Sequence, residues 1–188
     1  NSNSRVTIGR PPSSDRAAVV STVSDLYAGT GRTLLPGLGF DNTFAILVRG
    51  ADARAHGLRA IDDIARLAPG WRAGFGYEFL ERPDGYQGLA MTYGLTLREP
   101  PQAMDLNLSY RALASGQVDL IAGDATAGLI EALDLVQLED NRRYFPPYDA
   151  VPVAHAATLL RYPQVRRALE GLADRDVKVA NQAVELGL

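Results

Sequence analysis

Apolar residues are arranged along the chain in two alternating patterns. Residues 43–49 (TFAILVR) and 118–122 (VDLIA) are nearly continuous apolar runs, which are typical of strands covered on both faces. Residues 17–27 and 106–113 place apolar side chains at helical spacing, which predicts helices. The alternation of strand and helix patterns favours an open α/β sheet over a helical bundle or a β-sandwich.

The other predicted elements are short and are separated by glycine or proline. We predict further strands at 5–9 and 71–76, and helices at 61–68, 84–93, 125–133, 163–172 and 176–186. The Gly74-Phe75-Gly76 sequence is interpreted as a tight joint between a strand and a helix, because the third glycine of a dinucleotide-binding turn is missing.

Two stretches predict extended backbone that crosses between parts of the molecule. Residues 33–39 contain Pro36 and two glycines, and residues 144–153 contain three prolines, which exclude a helix interior. They bracket residues 41–145, which we predict to be one α/β lobe, with 1–40 and 146–188 forming a discontinuous second lobe. Clefts between lobes joined in this way commonly bind small ligands.

Composition narrows the possible functions. The 188 residues include 22 acidic and 19 basic side chains, so the chain lacks the positive charge that nucleic-acid binding needs. It has no cysteine and two histidines, so we expect neither a metal site nor a cofactor. No apolar run approaches the roughly 20 residues of a membrane-spanning helix.

Residues suited to catalysis are sparse. The neighbouring carboxylates of Asp62 and Asp63 point to different sides of an element, as do those of Glu139 and Asp140, so neither pair predicts an acid/base dyad. His155 is a candidate general base, but no serine or threonine lies in a nucleophile-elbow context. We therefore expect a protein that is not an enzyme, with a hydrolase based on His155 as the weaker alternative.

Three segments carry the most informative side chains. Residues 40–44 (FDNTF), 78–86 (EFLERPDGY) and 144–149 (YFPPYD) each place an aromatic ring or an arginine at a strand end or crossing. An aromatic face attracts a desolvated cation, and a guanidinium binds a carboxylate through two parallel hydrogen bonds. Together these groups suit a small zwitterion, although aromatic side chains at such places also serve as packing.

These segments occur in an order that resembles a known family. The succession FDNTF, GFGYEFLERPDGYQGL, MDLNLSYRALASGQVDLIAG and LEDNRRYFPPYDAVPV is similar to the substrate-binding proteins of osmoprotectant ABC importers, over about residues 37–162. The resemblance implies an α/β periplasmic-binding-protein fold of type II, with two lobes joined by two crossing strands. It also implies an extracytoplasmic protein, anchored or fused to its permease, that binds glycine betaine, choline or carnitine.

The resemblance also suggests roles for individual residues. Phe44 and Tyr148 match positions of the family's aromatic box, Arg82 matches its carboxylate-binding arginine, and Asn42 matches a ligand-facing position. Asp124 stands where related betaine binders often have a tyrosine, and it is predicted either to meet the ligand cation or to cap a helix that begins at Ala125.

The first lobe departs from the family pattern. Residues 5–10 (RVTIGR) run directly into PPSSD, where the family has a longer stretch with further ligand-binding groups. We therefore expect an incomplete first lobe, weak ligand binding by the chain alone, and a homo-oligomer that covers the missing part. The alternative is a degenerate lobe that acts as a protein-interaction or sensor module and binds no small molecule.

Overall fold

A computed structural model describes residues 15–172, which divide into two compact units. Over these residues the first unit comprises 15–43 and 146–172, and the second comprises Phe44–Phe145. The predicted strand at 5–9 and the predicted helix at 176–186 lie outside the described residues. No helix within the described part is long and apolar enough to cross a bilayer.

The first unit contains helices at both of its ends and a short antiparallel strand pair. Its elements are α1 (Arg16–Ala28), β1 (Arg32–Leu34), β7 (Val153–His155), α8 (Ala156–Arg161) and α9 (Pro163–Glu170). The Asp15 carboxylate caps α1 by accepting hydrogen bonds from the N–H groups of Ala17 and Ala18. Beyond the strand pair, residues 35–42 and 148–152 exchange backbone hydrogen bonds, with a bend at Gly39, whose φ is 85°.

The second unit is built on a mixed sheet. Its elements are β2 (Phe44–Arg49), α2 (Gly50–His56), α3 (Ile61–Ile64), β3 (Ala73–Phe75), α4 (Tyr77–Glu81), α5 (Tyr86–Tyr93), β4 (Gln102–Ala103), α6 (Leu106–Ala114), β5 (Leu120–Asp124), α7 (Leu129–Ala132) and β6 (Leu135–Leu138). The strand order is β4-β3-β5-β2-β6. β3 runs parallel to β4 and β5, whereas β2 runs antiparallel to β5 and β6.

The continuous apolar run of β2 separates two hydrophobic cores. Successive side chains of a strand point to opposite faces. Ile46 and Val48 accordingly pack with Phe75, Phe79 and the helices α3 to α5, whereas Ala45 and Leu47 pack with α6 and α7. The prediction of a strand covered on both faces is confirmed.

Several predicted boundaries need correction. The helix predicted over 61–68 ends at Ile64, because Pro69 and Gly70 lie in a 3₁₀ turn (Ala68–Gly70). The helix predicted over 84–93 begins only at Tyr86, since Gly85 has a non-helical backbone conformation. It ends as predicted at Gly94, which has a positive φ of 65°.

The elements that the sequence did not predict are short. β1 overlaps the start of segment 33–39, for which the sequence predicts only extended backbone, and β4 has two exposed residues without any apolar pattern. The helices α2, α4 and α8 have five to seven residues each, which is too few for a clear helical repeat. The strand β6 was also not predicted.

Candidate functional site

Phe44 and Asp124 face each other at one end of the sheet in the second unit. They are direct partners in the antiparallel register of β2 and β5. Directly opposed residues project to the same face, with side chains near enough to interact. Both residues are half-buried. An aromatic ring and a carboxylate therefore lie side by side where the two strands end.

The Phe44 ring is supported by other aromatic side chains. Its centroid lies 4.9 Å from that of Phe79 and 6.0 Å from that of Phe145, both in tilted arrangements. Phe79 in turn contacts Phe75 at 5.1 Å. These contacts fix the orientation of the ring, and a fixed ring face is a better cation acceptor than a mobile one.

Arg82 already places a cation on the Phe44 ring. Its Cζ lies 5.4 Å from the ring centroid, within the range of a cation–π contact. The guanidinium also donates from Nε and Nη2 to the two carboxylate oxygens of Asp84, at 2.8 and 2.6 Å, and from Nη1 to Glu78 at 2.9 Å. The side chains of Arg82 and Asp84 are 13% and 12% exposed. Arg82 is therefore bound to carboxylates of its own chain.

The turn that carries Arg82 depends on a glycine. Arg82 follows α4 in extended conformation, and the N–H of Gly85 donates to the Arg82 carbonyl at 3.0 Å. A Cβ at Gly85 would lie 1.9 Å from the carbonyl oxygen of Phe79. The close approach of these two backbones permits only glycine at this position.

Asp124 is positioned by its backbone and does not cap a helix. Its N–H donates to the hydroxyl of Tyr110 at 2.9 Å, and its carbonyl accepts from the N–H of Ala127 in a turn. The helix predicted over 125–133 is only α7, which begins at Leu129 after Gly128. The predicted capping role of Asp124 is therefore wrong, because residues 125–128 form the turn.

The loop that delivers Phe145 is held by Asp140. Its carboxylate accepts hydrogen bonds from the N–H groups of Tyr144 and Phe145 at 3.0 and 2.8 Å, and from the hydroxyl of Tyr93. The Tyr144 hydroxyl donates to the carbonyl of Gly85 at 2.8 Å, and burial raises the pKa of Tyr144 to about 12. Tyr144 therefore stays protonated and links this loop to the Arg82 turn.

Asn42 and Tyr148 lie together in the first unit. The N–H of Asn42 donates to the carbonyl of Tyr148 at 3.1 Å, and the N–H of Tyr148 donates to Asp41 Oδ1 at 2.8 Å. Asn42 is exposed and Tyr148 is half-buried. The side chain of Arg16 contacts the carboxylates of both Asp41 and Asp149.

The structure thus gathers the predicted residues into two groups. Phe44, Arg82 and Asp124 form one group in the second unit, and Asn42 and Tyr148 are paired in the first. Sequence reasoning did not find Tyr110, Asp84 or Asp41 as supporting residues. A glycine at a strand end, such as Gly123 before Asp124, signals a close approach, but the sequence does not show that the approaching group is Tyr110.

His155, the candidate base of the hydrolase alternative, is exposed at the end of β7. Within residues 15–172, no three histidine, aspartate or glutamate side chains are grouped in a way that could hold a metal ion.

Comparison with known protein families gives a match over most of the chain. Residues 18–187 match the OpuAC family, the substrate-binding domain of ABC-type glycine betaine transport systems. A solved structure described as a glycine betaine/carnitine/choline ABC transporter superposes with a TM-score of 0.87 at 25% identity, covering 100% of this chain and 71% of that chain. This likeness confirms the expected type II periplasmic-binding-protein fold.

Curated relatives point to the same family. A glycine-betaine-binding protein of Pseudomonas aeruginosa is 31% identical over 186 residues, which cover 92% of this chain and 60% of that protein. The carnitine transport binding protein OpuCC of Listeria monocytogenes is 30% identical over 142 residues, or 75% of this chain and 46% of that protein. An ergothioneine transport permease/ergothioneine binding protein of Helicobacter pylori is 29% identical over 148 residues, or 79% and 26%.

The chain thus spans between about a quarter and three fifths of the length of these relatives. They are binding proteins of transporters, which confirms the expectation that the protein is not an enzyme. On the strength of the family match, the fold and the order of its motifs, the chain belongs to the family of substrate-binding domains of ABC-type glycine betaine transport systems.

Proposed function

We propose that this chain binds a small quaternary ammonium solute on behalf of an ABC importer, with Phe44 and Asp124 meeting the cation. The observation that carries the proposal is the direct pairing of Phe44 with Asp124 across β2 and β5, beside the Arg82 guanidinium. A ring face and a carboxylate attract a cation by different means, the ring through its quadrupole and the carboxylate through its full charge.

A quaternary ammonium fits this pair better than a primary amine does. It carries a full charge but has no N–H to donate, so it gains from a ring face and from a nearby charge without needing directed hydrogen bonds. The fixed orientation of the Phe44 ring lowers the entropic cost of such a contact.

Arg82 is proposed to attract a ligand carboxylate. Glycine betaine, carnitine and ergothioneine, which give the relatives their names, are all trimethylammonium zwitterions with a carboxylate. The guanidinium donates to Asp84 and Glu78, so a ligand carboxylate must compete with these partners. We therefore expect zwitterions to bind more tightly than choline does.

Asn42 and Tyr148 are proposed to provide further ligand contacts. The Tyr148 ring is proposed to face a ligand cation, and the backbone of Tyr148 is tied to the 41–42 segment by two hydrogen bonds. Asn42 is exposed and has an amide that donates and accepts hydrogen bonds. These assignments rest on the family positions of both residues.

The partner is proposed to be an ABC permease, and the location extracytoplasmic. Substrate-binding domains of importers deliver solute to a permease from outside the cytoplasm, and one relative is named as both permease and binding protein. A homo-oligomer is also proposed. In its support, neither α1 nor α9 has a buried residue.

Calorimetric titration tests the proposed function. Choline, glycine betaine, carnitine and ergothioneine are titrated into the protein, with 3,3-dimethylbutan-1-ol as the uncharged isostere of choline. We expect saturable binding of at least one quaternary amine and none of the isostere, because only a cation gains from Phe44 and Asp124. Equal binding of choline and its isostere would show an apolar pocket with no cation site.

A thermal-shift measurement extends this test to weak ligands. A ligand that binds only the folded state raises its stability by RT ln(1 + [L]/Kd), so millimolar binding remains visible at higher ligand concentration. If no quaternary amine raises the unfolding temperature at a ligand concentration of about 50 mM, the proposal fails. A protein-interaction or sensor module would then be the better interpretation.

A further inference from the structure

The side chain of Arg16 joins three segments of the first unit. Its Nη2 donates to Asp41 Oδ2 at 2.6 Å, and its Nη1 donates to Asp149 Oδ1. Arg16 is the first residue of α1, whereas Asp41 and Asp149 lie on the two extended segments, where they form an antiparallel bridge. One guanidinium therefore ties a helix to both extended segments.

Asp41 extends this tie to Tyr148. While its Oδ2 accepts from Arg16, its Oδ1 accepts the N–H of Tyr148 at 2.8 Å. The Tyr148 carbonyl accepts the N–H of Asn42 at 3.1 Å. The backbone of Tyr148 is thus held at both its polar groups by residues 41 and 42, and the Asp41 carboxylate that holds one of them is oriented by Arg16.

Electrostatics explains why an arginine suits this place. Asp41 and Asp149 are bridge partners, and two carboxylates directly opposite each other repel. Their side chains are only 25% and 29% exposed, so water screens the repulsion incompletely. A guanidinium offers a rigid fork that satisfies both carboxylates at once, whereas a lysine ammonium is a point charge without this geometry.

We propose that Arg16 is a positioning residue for ligand binding, which acts through Asp41 to fix the backbone of Tyr148. The inference rests on the proposed role of Tyr148 as a wall of the cation site. It requires no contact between Arg16 and the ligand. Loss of Arg16 leaves the Asp41 carboxylate without its orienting partner, so the Tyr148 amide is held less firmly.

Amide exchange tests the tie without any ligand. Hydrogen exchange of the Tyr148 N–H is followed by NMR in the wild type, in Arg16→Gln and in the control Arg54→Gln. Arg54 forms an exposed ion pair with Asp134 in the second unit. We expect roughly tenfold faster exchange at Tyr148 in Arg16→Gln and unchanged exchange in Arg54→Gln. Unchanged exchange in Arg16→Gln would overturn the proposal.

A double-mutant cycle tests the effect on binding, with choline as the probe. Arg16→Gln is expected to weaken choline binding roughly three- to tenfold in the wild-type background. In the Tyr148→Ala background the same change should weaken it no further, because the wall that Arg16 positions is gone. An equal loss in both backgrounds would overturn the proposal, since it would mean that Arg16 acts independently of Tyr148.

Failure of the proposed function and failure of the variant to fold can each be distinguished from failure of the Arg16 proposal. If the wild type binds neither choline nor any other quaternary amine, the proposed function fails, and the amide exchange alone decides whether Arg16 holds Tyr148. If Arg16→Gln does not fold, Arg16→Lys takes its place. It keeps the charge but not the fork, and we expect it to show the same two effects at smaller size.

Discussion

The hydroxyl of Tyr110 accepts a hydrogen bond of 2.9 Å from the backbone N–H of Asp124. Tyr110 belongs to the core on one face of the sheet, whereas Phe44, the strand partner of Asp124, packs against the core on the other face. Gly123 makes the approach possible, because a Cβ there would lie 2.3 Å from the Tyr110 hydroxyl oxygen. A buried tyrosine on the opposite face of the sheet therefore holds the backbone of Asp124, whose carboxylate is the candidate binding group for a ligand cation.

Gly123→Ala is expected to destabilise the protein by about 1 to 3 kcal/mol. The added methyl group would also lie 2.7 Å from Tyr110 Cζ and 3.0 Å from Leu47 Cδ1, so a closely packed core must shift. Urea unfolding measures the loss. Gly76→Ala is the matched control, because a Cβ at Gly76 meets nothing within 4 Å. Similar stabilities for the two variants would show that Gly123 is not needed for the contact.

The sequence predicted the parts of the fold that local patterns determine. The run at 43–49 predicted β2 because burial on both faces requires apolar side chains at every position. Gly94 predicted the end of α5 because a left-handed residue ends a helix. The short strand β4 (QA) has no such pattern, since it is formed by its pairing with β3 and not by its own residues.

The supporting residues of the site could not be predicted in the same way. Phe44 and Asp124 become neighbours only through the register of β2 and β5, which tertiary packing determines. Arg82 and Asp84 are near in sequence, but their two-pronged contact depends on the extended backbone after α4. The resemblance to a family identified candidate ligand residues without showing what holds them.

Tyr148→Ala is expected to weaken binding of a quaternary amine by about 0.5 to 2 kcal/mol, and Tyr148→Phe much less. In the proposed site the cation is attracted by the ring face of Tyr148 and not by its hydroxyl. The hydrogen bonds that join residue 148 to Asp41 and Asn42 involve its backbone, so both variants keep these two bonds. Calorimetry with choline compares the variants. If Phe is as damaging as Ala, the hydroxyl makes the important contact.

Arg82→Ala is expected to weaken glycine betaine binding by about 2 to 5 kcal/mol and choline binding much less, because only glycine betaine has a carboxylate. The free energy of unfolding of the variant should also be lower by about 3 to 5 kcal/mol, since the Asp84 carboxylate loses its bidentate ion pair with Arg82. Arg82→Lys is the fallback where the alanine variant does not fold. Equal losses for the two ligands would assign Arg82 a structural role only.

Self-association is expected at high protein concentration, together with dissociation constants for simple betaines that are weaker than micromolar. Leu160 in α8 is 83% exposed, and Val20 and Leu26 of α1 are exposed as well. Burial of such side chains against a second copy is favourable. Light scattering should therefore give a mass above that of one chain, and Leu160→Ser should lower it more than the control Leu108→Ser in the second unit. A monomer that binds betaine tightly would contradict this expectation.

Asp119 is expected to make the second unit less stable as the pH falls into the acid range. Its carboxylate accepts hydrogen bonds from Arg49 Nη2 at 2.8 Å and from Arg72 Nε at 3.2 Å, and also from the Arg72 N–H at 3.0 Å. Burial alone would raise the pKa of Asp119, but the hydrogen bonds from Arg72 and Arg49 outweigh it and hold the pKa below its usual value. The ionised form is thus favoured by folding.

A pKa that is lower in the folded state fixes the direction of the effect. The contribution of Asp119 is fully present above the unfolded pKa of about 3.9, and it is lost as pH falls below that value through the folded pKa. Asp119→Asn removes the charge at every pH. Urea unfolding of the wild type and the variant between pH 7 and pH 3 should therefore show a difference of about 1 to 3 kcal/mol in the free energy of unfolding, which shrinks below about pH 4.

Asp134→Asn is the control. Asp134 belongs to an exposed ion pair, so its substitution should change stability little at any pH. If the difference in the free energy of unfolding between the wild type and Asp119→Asn is as large at pH 3 as at pH 7, the negative charge of Asp119 is not what stabilises the contacts with the two arginines.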